Sequence, residues 1–225
     1  MKDGYDGTGP GEFTPDGCAV DLYARLPVRD EPEIIAAAQP PPATLLELGA
    51  GAGRVTRALT TWGYEVTAVD ESPEMLEHIT DVRTVCSSIE DLDLPDRYDV
   101  VLLSSFLVHA PDPAVRAALL DTCRRHVNPG GVVLIQREGR DWHERVPRDS
   151  KAGDGIARAL SSDDLGDGTR SIRFEYVFPD ATWTQVFRSR PLTPEQFEEA
   201  LSGAGLVLDR YLTPDGIWAC CRVAG

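Results

Sequence analysis

Residues 47 to 54 read Glu-Leu-Gly-Ala-Gly-Ala-Gly-Arg, and the elements around them decide the fold. Gly49, Gly51 and Gly53 follow a short apolar run and precede a stretch of helical character. Glycine at a strand-to-helix turn adopts positive φ and lets the backbone approach a ligand closely, while the first N–H groups of the helix face that ligand. A dinucleotide loop spaces its glycines G-x-G-x-x-G and sets the helix end against a pyrophosphate. Here Arg54 stands where that loop has its third glycine. Glu47 places a carboxylate just before the first glycine. Such a charge repels a pyrophosphate and suits an amino group or another cation.

Upstream of this loop, residues 1–17 hold five glycines and two prolines and read as a loose arm. The stretches CAVDLYARL and EPEIIAAAQ read as short helices, and Pro40, Pro41 and Pro42 stop the second. The apolar residues 44 to 48 then form a strand. Downstream, residues 54 to 62 read as a helix ended by Gly63. Residues 65 to 69 form a strand with Asp70 at its end. Ser72 and Pro73 open the next helix as N-cap and first-turn residue.

Strands follow at 82 to 86 and at 98 to 103, the latter apolar enough to be buried on both faces. Asp112-Pro113 opens a helix, the segment 128–131 (Asn-Pro-Gly-Gly) reads as a turn, and 132 to 136 as a fifth strand. This alternation implies a parallel, doubly wound α/β sheet. Beyond it, residues 139–170 are polar and read as a long loop or lid. IRFEYVF and TWTQVFRS read as an antiparallel hairpin, Thr193-Pro194-Glu195 opens a helix, and strands at 207–212 and 217–223 close the chain.

The whole reads as one domain over residues 1–225. The arm and first helices run to 40, a ligand-binding core covers 41–138, the loop and hairpin cover 139–190, and the closing elements cover 191–225.

Lys and Arg total 22 against 37 Asp and Glu, a formal charge of −15. A surface this acidic repels phosphate backbones and anionic lipid, so a small or cationic partner fits better than nucleic acid or membrane. The five cysteines show no metal-ligand spacing, and the polar start MKDGYDGTGPGEF does not resemble a secretion signal. Reduced thiols and a cytoplasmic location are expected.

LLELGAGAGRVTRAL, YEVTAVDESPEMLEHI, CSSIEDLDLPDRYDVVLLSSFLVHAPD and RRHVNPGGVVLIQ occur in this order. Together they resemble the class I S-adenosylmethionine-dependent methyltransferases. The resemblance implies a Rossmann-like seven-stranded sheet with an antiparallel C-terminal strand, to which the hairpin adds a lid. It implies S-adenosyl-L-methionine as cofactor and S-adenosyl-L-homocysteine as product.

Carried over residue by residue, Glu47, Gly49, Ala50, Gly51 and Gly53 would lie under the methionine part of the cofactor. Asp70 would bind the ribose diol, with Glu71 and Met75 near the adenosine. The family presents an acid to the adenine where this chain has Ser88; the Ser88 hydroxyl and the Ile89 N–H would serve instead. Ser104 and Phe106 would line the floor near the sulfonium. Tyr23 and Arg25 are spaced like a Tyr and Arg that many members place over the methionine carboxylate.

A sulfonium methyl is already electrophilic, so the protein must align the acceptor, exclude water and, for a hydroxyl or ammonium, remove a proton. His109, after the fourth strand, is the first candidate base, and His143 in the Asp141–Glu144 cluster the second. Trp142, Trp183 and Arg190, together with Phe187, are candidate acceptor contacts. The expected partner is a small-molecule acceptor methylated on oxygen or nitrogen, handled by a monomer or homodimer. A nicotinamide-dependent oxidoreductase is disfavoured by Arg54 and Glu47. Two readings stay open: a non-methylating relative that keeps fold and cofactor as a scaffold, and a peptide or protein methyltransferase.

Overall fold

Three consecutive prolines end helical structure after α2 (Glu31–Ala38) and release an apolar pentapeptide into the central strand β2 (Thr44–Leu48). The computed structural model describes residues 1–225. Ahead of α2 lie β1 (Asp6–Thr8) and α1 (Val20–Arg25). After β2 the chain alternates through α3 (Arg54–Trp62), β3 (Glu65–Asp70), α4 (Pro73–Leu76), β4 (Arg83–Cys86), β5 (Tyr98–Leu103), α5 (Pro113–His126) and β6 (Val127–Gln136). Then come β7 (Arg148–Ala152), β8 (Gly155–Asp164), β9 (Arg170–Val177) and β10 (Thr182–Ser189). Helix α6 (Pro194–Gly203) and strands β11 (Leu206–Tyr211) and β12 (Trp218–Val223) complete it. Internal contacts define two compact units, Val28–Arg140 with Leu192–Gly225, and Met1–Pro27 with Asp141–Pro191.

The larger unit carries the seven-stranded sheet, ordered β11-β12-β6-β5-β2-β3-β4. Strand β2 pairs parallel with β3 and β5, and β6 extends the parallel run from β5. Strand β12 runs antiparallel to β6, as expected for the C-terminal strand, and β11 antiparallel to β12. Period-two alternation assigns the strand residues to two cores. Leu46, Leu48, Val101 and Leu103 join Leu119, Leu120 and Phe197 on one face, and Leu45, Val100 and Leu102 join Ile35, Val55 and Leu59 on the other. Fully burying one such side chain stabilises by roughly 1.5–3 kcal/mol. This two-sided burial fixes the strand ends.

The chain runs outward from β2 through β3 to β4, then crosses to β5 on the other side of β2. At such a reversal the crevice beyond the carboxyl ends of the strands is left open for a ligand. The helix caps match the sequence reading. Gly53 and Gly63, with φ of +76° and +100°, bound α3, and Ser72 Oγ accepts from Met75 N at 3.2 Å. Asp112 Oδ1 accepts from Ala114 N at 2.8 Å. One boundary differs: β6 begins at Val127, so the expected turn at 128–131 lies inside a strand, opposite a register shift between Tyr98 and Val100. His126 is buried, with Nε2 accepting from Leu94 N at 3.0 Å and Nδ1 2.8 Å from Thr122 O; it pins α5 to the loop before β5.

The smaller unit is a five-stranded antiparallel sheet ordered β1-β10-β9-β8-β7. The predicted hairpin is its β9–β10 pair. Two expectations are corrected here. Residues 139–170 are not a long loop: they supply β7 and β8, joined through Gly153-Asp154 with Gly153 at φ +66°. The arm before residue 17 is tied down by β1, which pairs with β10. The strands escaped notice because alanine faces inward: Ala152, Ala157 and Ala159 are buried. Ala19, Leu22, Ala152, Ala157, Phe178 and Trp183 form a core of this unit's own, which the sequence did not reveal. No helix of the chain is long and apolar enough to cross a membrane.

Candidate functional site

At the reversal between β2 and β5 the glycine loop turns left-handed at each glycine, with φ of +72° at Gly49, +55° at Gly51 and +76° at Gly53. Side chains other than glycine rarely adopt this region. The loop is also crowded: a Cβ on Gly49 would lie 2.8 Å from Leu107 Cδ1, and one on Gly53 2.6 Å from Ile79 Cγ1. Ala50 N donates to Val69 O at 2.8 Å, which fastens the loop to β3.

Asp70 is aimed by its neighbours. Gly51 N donates to Oδ2 at 2.7 Å and Ser72 N to Oδ1 at 3.0 Å. Its carbonyl accepts from Ser87 N at 3.0 Å, which draws the end of β4 alongside. The carboxylate at the tip of β3 is thereby held beside the glycine loop.

Glu47 behaves differently from a side chain open to a ligand. It is 2% exposed, and Thr56 Oγ1 of α3 donates to its Oε2 at 2.6 Å. Burial pushes its carboxyl up to about 7, opposed by the Thr56 bond and by Arg54. Arg54 itself pairs with Glu31 of α2, whose carboxylate also accepts from Arg29 N at 2.6 Å.

The segment near the expected adenine position is built from Ser87 to Asp91. Ser88 Oγ donates to Asp91 Oδ2 at 2.8 Å, so an acid stands beside Ser88 although none occupies its position. Ile89 is 9% exposed, its carbonyl accepts from Thr122 Oγ1 at 2.9 Å, and its Cδ1 would sit 3.9 Å from a Cβ on Gly49. Met75 is buried on α4 and Glu71 exposed ahead of it.

After β5 the chain makes a tight turn. Ser104 is buried, while Ser105 and Phe106 hold φ of 55° and 61°. Left-handed backbone at non-glycine residues costs of order 1–3 kcal/mol each and persists where the surroundings over-determine it. Ser105 N donates to Gln136 Oε1 at 2.8 Å. Arg116 of α5, 7% exposed, donates from Nε to Val108 O at 3.0 Å and from Nη2 to Ala110 O at 2.9 Å. His109 is 3% exposed, its Nε2 accepting from Glu138 N at 2.9 Å and its Nδ1 lying 3.3 Å from Glu138 Oε2. It stands at the end of β5 as expected, yet both ring nitrogens face one residue of the β6 end.

The remaining candidates belong to the smaller unit. Tyr23 donates to Gln185 Oε1 at 3.4 Å, and burial holds its phenol well above its ordinary range. Arg25 pairs with Asp180 at 2.8 Å and lies 5.1 Å from the Trp183 ring centre. Trp183, expected as an acceptor contact, is 0% exposed, donates from Nε1 to Pro10 O at 2.8 Å and meets Phe178 edge-on; it is a core residue. Arg190 donates to Asp167 O at 3.1 Å, near Gly168. Trp142 is half-buried, with the Arg148 guanidinium 4.5 Å from its ring centre and Phe174 at 6.2 Å. Phe187 stacks on Phe174 at 6.0 Å. His143 Nδ1 lies 2.9 Å from Ser162 Oγ, which also accepts from Arg170 Nε at 2.7 Å.

Sequence reasoning therefore brought Gly49, Gly51, Asp70 and Ile89 to one place and missed Leu107, Arg116, Gln136 and Glu138. For Glu138 a signal existed: charged residues directly after an apolar central strand, at its carboxyl end.

A family model described as a methyltransferase domain matches residues 20–210. A ubiquinone biosynthesis O-methyltransferase of Xanthomonas campestris pv. campestris is 32% identical over 135 residues, covering 56% of this chain and 55% of its own length. The chain thus spans about half the length of the curated relatives it matches. Among solved structures, the CcbJ methyltransferase of Streptomyces caelestis superposes with a TM-score of 0.70 at 20% identity, over 88% of this chain and 91% of its own. S-adenosylmethionine-bound CalS10, an amino pentose methyltransferase of Micromonospora echinaspora, gives 0.65 at 20% identity over 91% and 92%.

Proposed function

This chain belongs to the methyltransferase-domain family, and from that premise we propose that it is a class I S-adenosylmethionine-dependent methyltransferase whose acceptor is a small molecule methylated on oxygen or nitrogen. The observation that carries the donor side is the glycine loop with Asp70 beside it. The loop's conformation and crowding leave no room for a Cβ at Gly49 or Gly53, and the Asp70 carboxylate is oriented by the N–H groups of Gly51 and Ser72. A carboxylate accepts several hydrogen bonds at once, so ribose hydroxyls suit Asp70. Two observations support the acceptor class. The formal charge of −15 opposes a polyanionic substrate. The similar proteins named above are an O-methyltransferase of ubiquinone biosynthesis and an amino pentose methyltransferase.

When bound, the cofactor supplies a sulfonium methyl already activated towards a nucleophile. Asp70 orients the nucleoside. Gly49, Gly51 and Gly53 bring backbone close to the amino-acid end, with Leu107 packed against Gly49. Glu47 supports the loop from beneath through Thr56 rather than by open contact. Where the acceptor must lose a proton, we assign that step to His143. Its Nδ1 lies 2.9 Å from Ser162 Oγ.

Tryptophan fluorescence with S-adenosylhomocysteine, set against NAD, tests the donor. Binding of NAD alone would sink the reading. Release of S-adenosylhomocysteine in the presence of phenols, amines and amino sugars tests the acceptor. Binding without release on any of them would instead favour a non-methylating relative.

A further inference from the structure

We infer that Glu138 is a positioning residue of this site: through His109 it holds the turn after β5 against the Gly49 loop, and the His109 ring is committed to that bond rather than to proton removal. The inference rests on the donor reading above.

The bond pattern decides the state of the ring. A backbone N–H can only donate, so Nε2 of His109, 2.9 Å from Glu138 N, is the unprotonated nitrogen. The ring proton then sits on Nδ1, 3.3 Å from Glu138 Oε2, and points at that carboxylate. A neutral imidazole has one basic nitrogen, and Glu138 N–H occupies it. An imidazolium would set an Nε2–H against the Glu138 N–H, and the side chains of both residues are enclosed, at 2% and 3% exposure. One residue at the end of β6 therefore grips the ring by its backbone and its side chain together.

The grip has something to hold. Ser105 and Phe106 stand in the left-handed region without being glycine, so the turn needs external restraint. Gln136 supplies it at Ser105 N, Arg116 at the carbonyls of Val108 and Ala110, and Glu138 at His109. Leu107, in the middle of these anchors, is the residue whose Cδ1 crowds the Cβ position of Gly49. Loosening the anchor at His109 shifts Leu107 and opens the loop that the donor needs closed.

The test uses the full chain with S-adenosylhomocysteine as probe. Long-range ¹H–¹⁵N spectra of the labelled wild type, with His109 assigned by His109→Gln, should show a neutral ring protonated on Nδ1 across neutral pH. Glu138→Gln keeps a side-chain acceptor for Nδ1–H and should bind the probe within about twofold of wild type, whereas Glu138→Ala, which keeps the backbone donor to Nε2 and hence the tautomer, should lose about tenfold or more. An Nε2–H tautomer or an imidazolium in the wild type overturns the inference. So does full-strength binding by Glu138→Ala. Should that variant fail to fold, the wild-type tautomer and Glu138→Gln decide. If the wild type binds no S-adenosylhomocysteine, the donor reading fails, and the tautomer measurement still judges the Glu138–His109 geometry by itself.

Discussion

Thr56 Oγ1 donates to Glu47 Oε2 at 2.6 Å inside an enclosure where Glu47 is 2% exposed. Burial raises its carboxyl from an ordinary 4.5 to about 7. Because the folded value lies above the unfolded one, the native state holds this proton more tightly. Stability falls as pH rises from the unfolded value through the folded one and is flat above. The span corresponds to at most about 3 kcal/mol. Glu47→Gln keeps an acceptor for Thr56 and removes the titration. Urea unfolding at about pH 5 and about pH 8 should show the variant gaining on the wild type at the higher pH. An identical pH response of the two proteins would contradict the enclosure of Glu47.

Asp70 gathers two loop N–H groups, from Gly51 at 2.7 Å and Ser72 at 3.0 Å. Asp70→Ala leaves both donors without that acceptor and removes the proposed ribose contact. Charged hydrogen bonds contribute about 1.5–3 kcal/mol each, so S-adenosylhomocysteine should bind at least about tenfold more weakly by calorimetry. Affinity equal to the wild type would remove Asp70 from the site.

Gly49→Ala meets two separate obstacles, φ of +72° and Leu107 Cδ1 at 2.8 Å from the new Cβ. Left-handed backbone alone costs about 1–2 kcal/mol. The double variant Gly49→Ala, Leu107→Ala should recover the steric part and retain the backbone part. A coupling of about 0.5 kcal/mol or more in a double-mutant cycle on thermal stability is expected. Strict additivity would mean that Leu107 does not press on the loop.

Much of this was legible in the sequence. The larger unit follows from glycine, proline and N-cap residues at its breaks and from long apolar strands, because those signals are local. Residues 148–164 were not legible, since a sheet face built of Ala152, Ala157 and Ala159 carries little hydrophobic contrast, and the Gly153-Asp154 turn was the signal left unread. The grip of Glu138 on His109 joins positions 29 residues apart and depends on strand register, which no local pattern encodes. Trp183 and Trp142 were both candidate acceptor contacts, and only the fold separates them.

That separation predicts different costs. Trp183 is 0% exposed and anchors the core of the smaller unit, so Trp183→Ala should destabilise by about 3–5 kcal/mol. Trp142 is half-buried, and Trp142→Ala should cost much less in thermal unfolding. Equal thermal losses for both would place Trp142 in the core as well.

His143 carries the proposed proton removal. Its Nδ1 rests on Ser162 Oγ at 2.9 Å, and Arg170 Nε holds that same hydroxyl at 2.7 Å. His143→Asn should lower kcat by about 10²–10⁴ on an acceptor that must lose a proton. Binding of S-adenosylhomocysteine should stay within about twofold, because the fall belongs to the transfer step alone. Ser162→Ala removes the tether but not the base, so it should give a smaller loss with the same direction. An acceptor already deprotonated in solution should be methylated by His143→Asn at close to the wild-type rate. A uniform loss on both kinds of acceptor would assign His143 to binding and leave proton removal to the solvent.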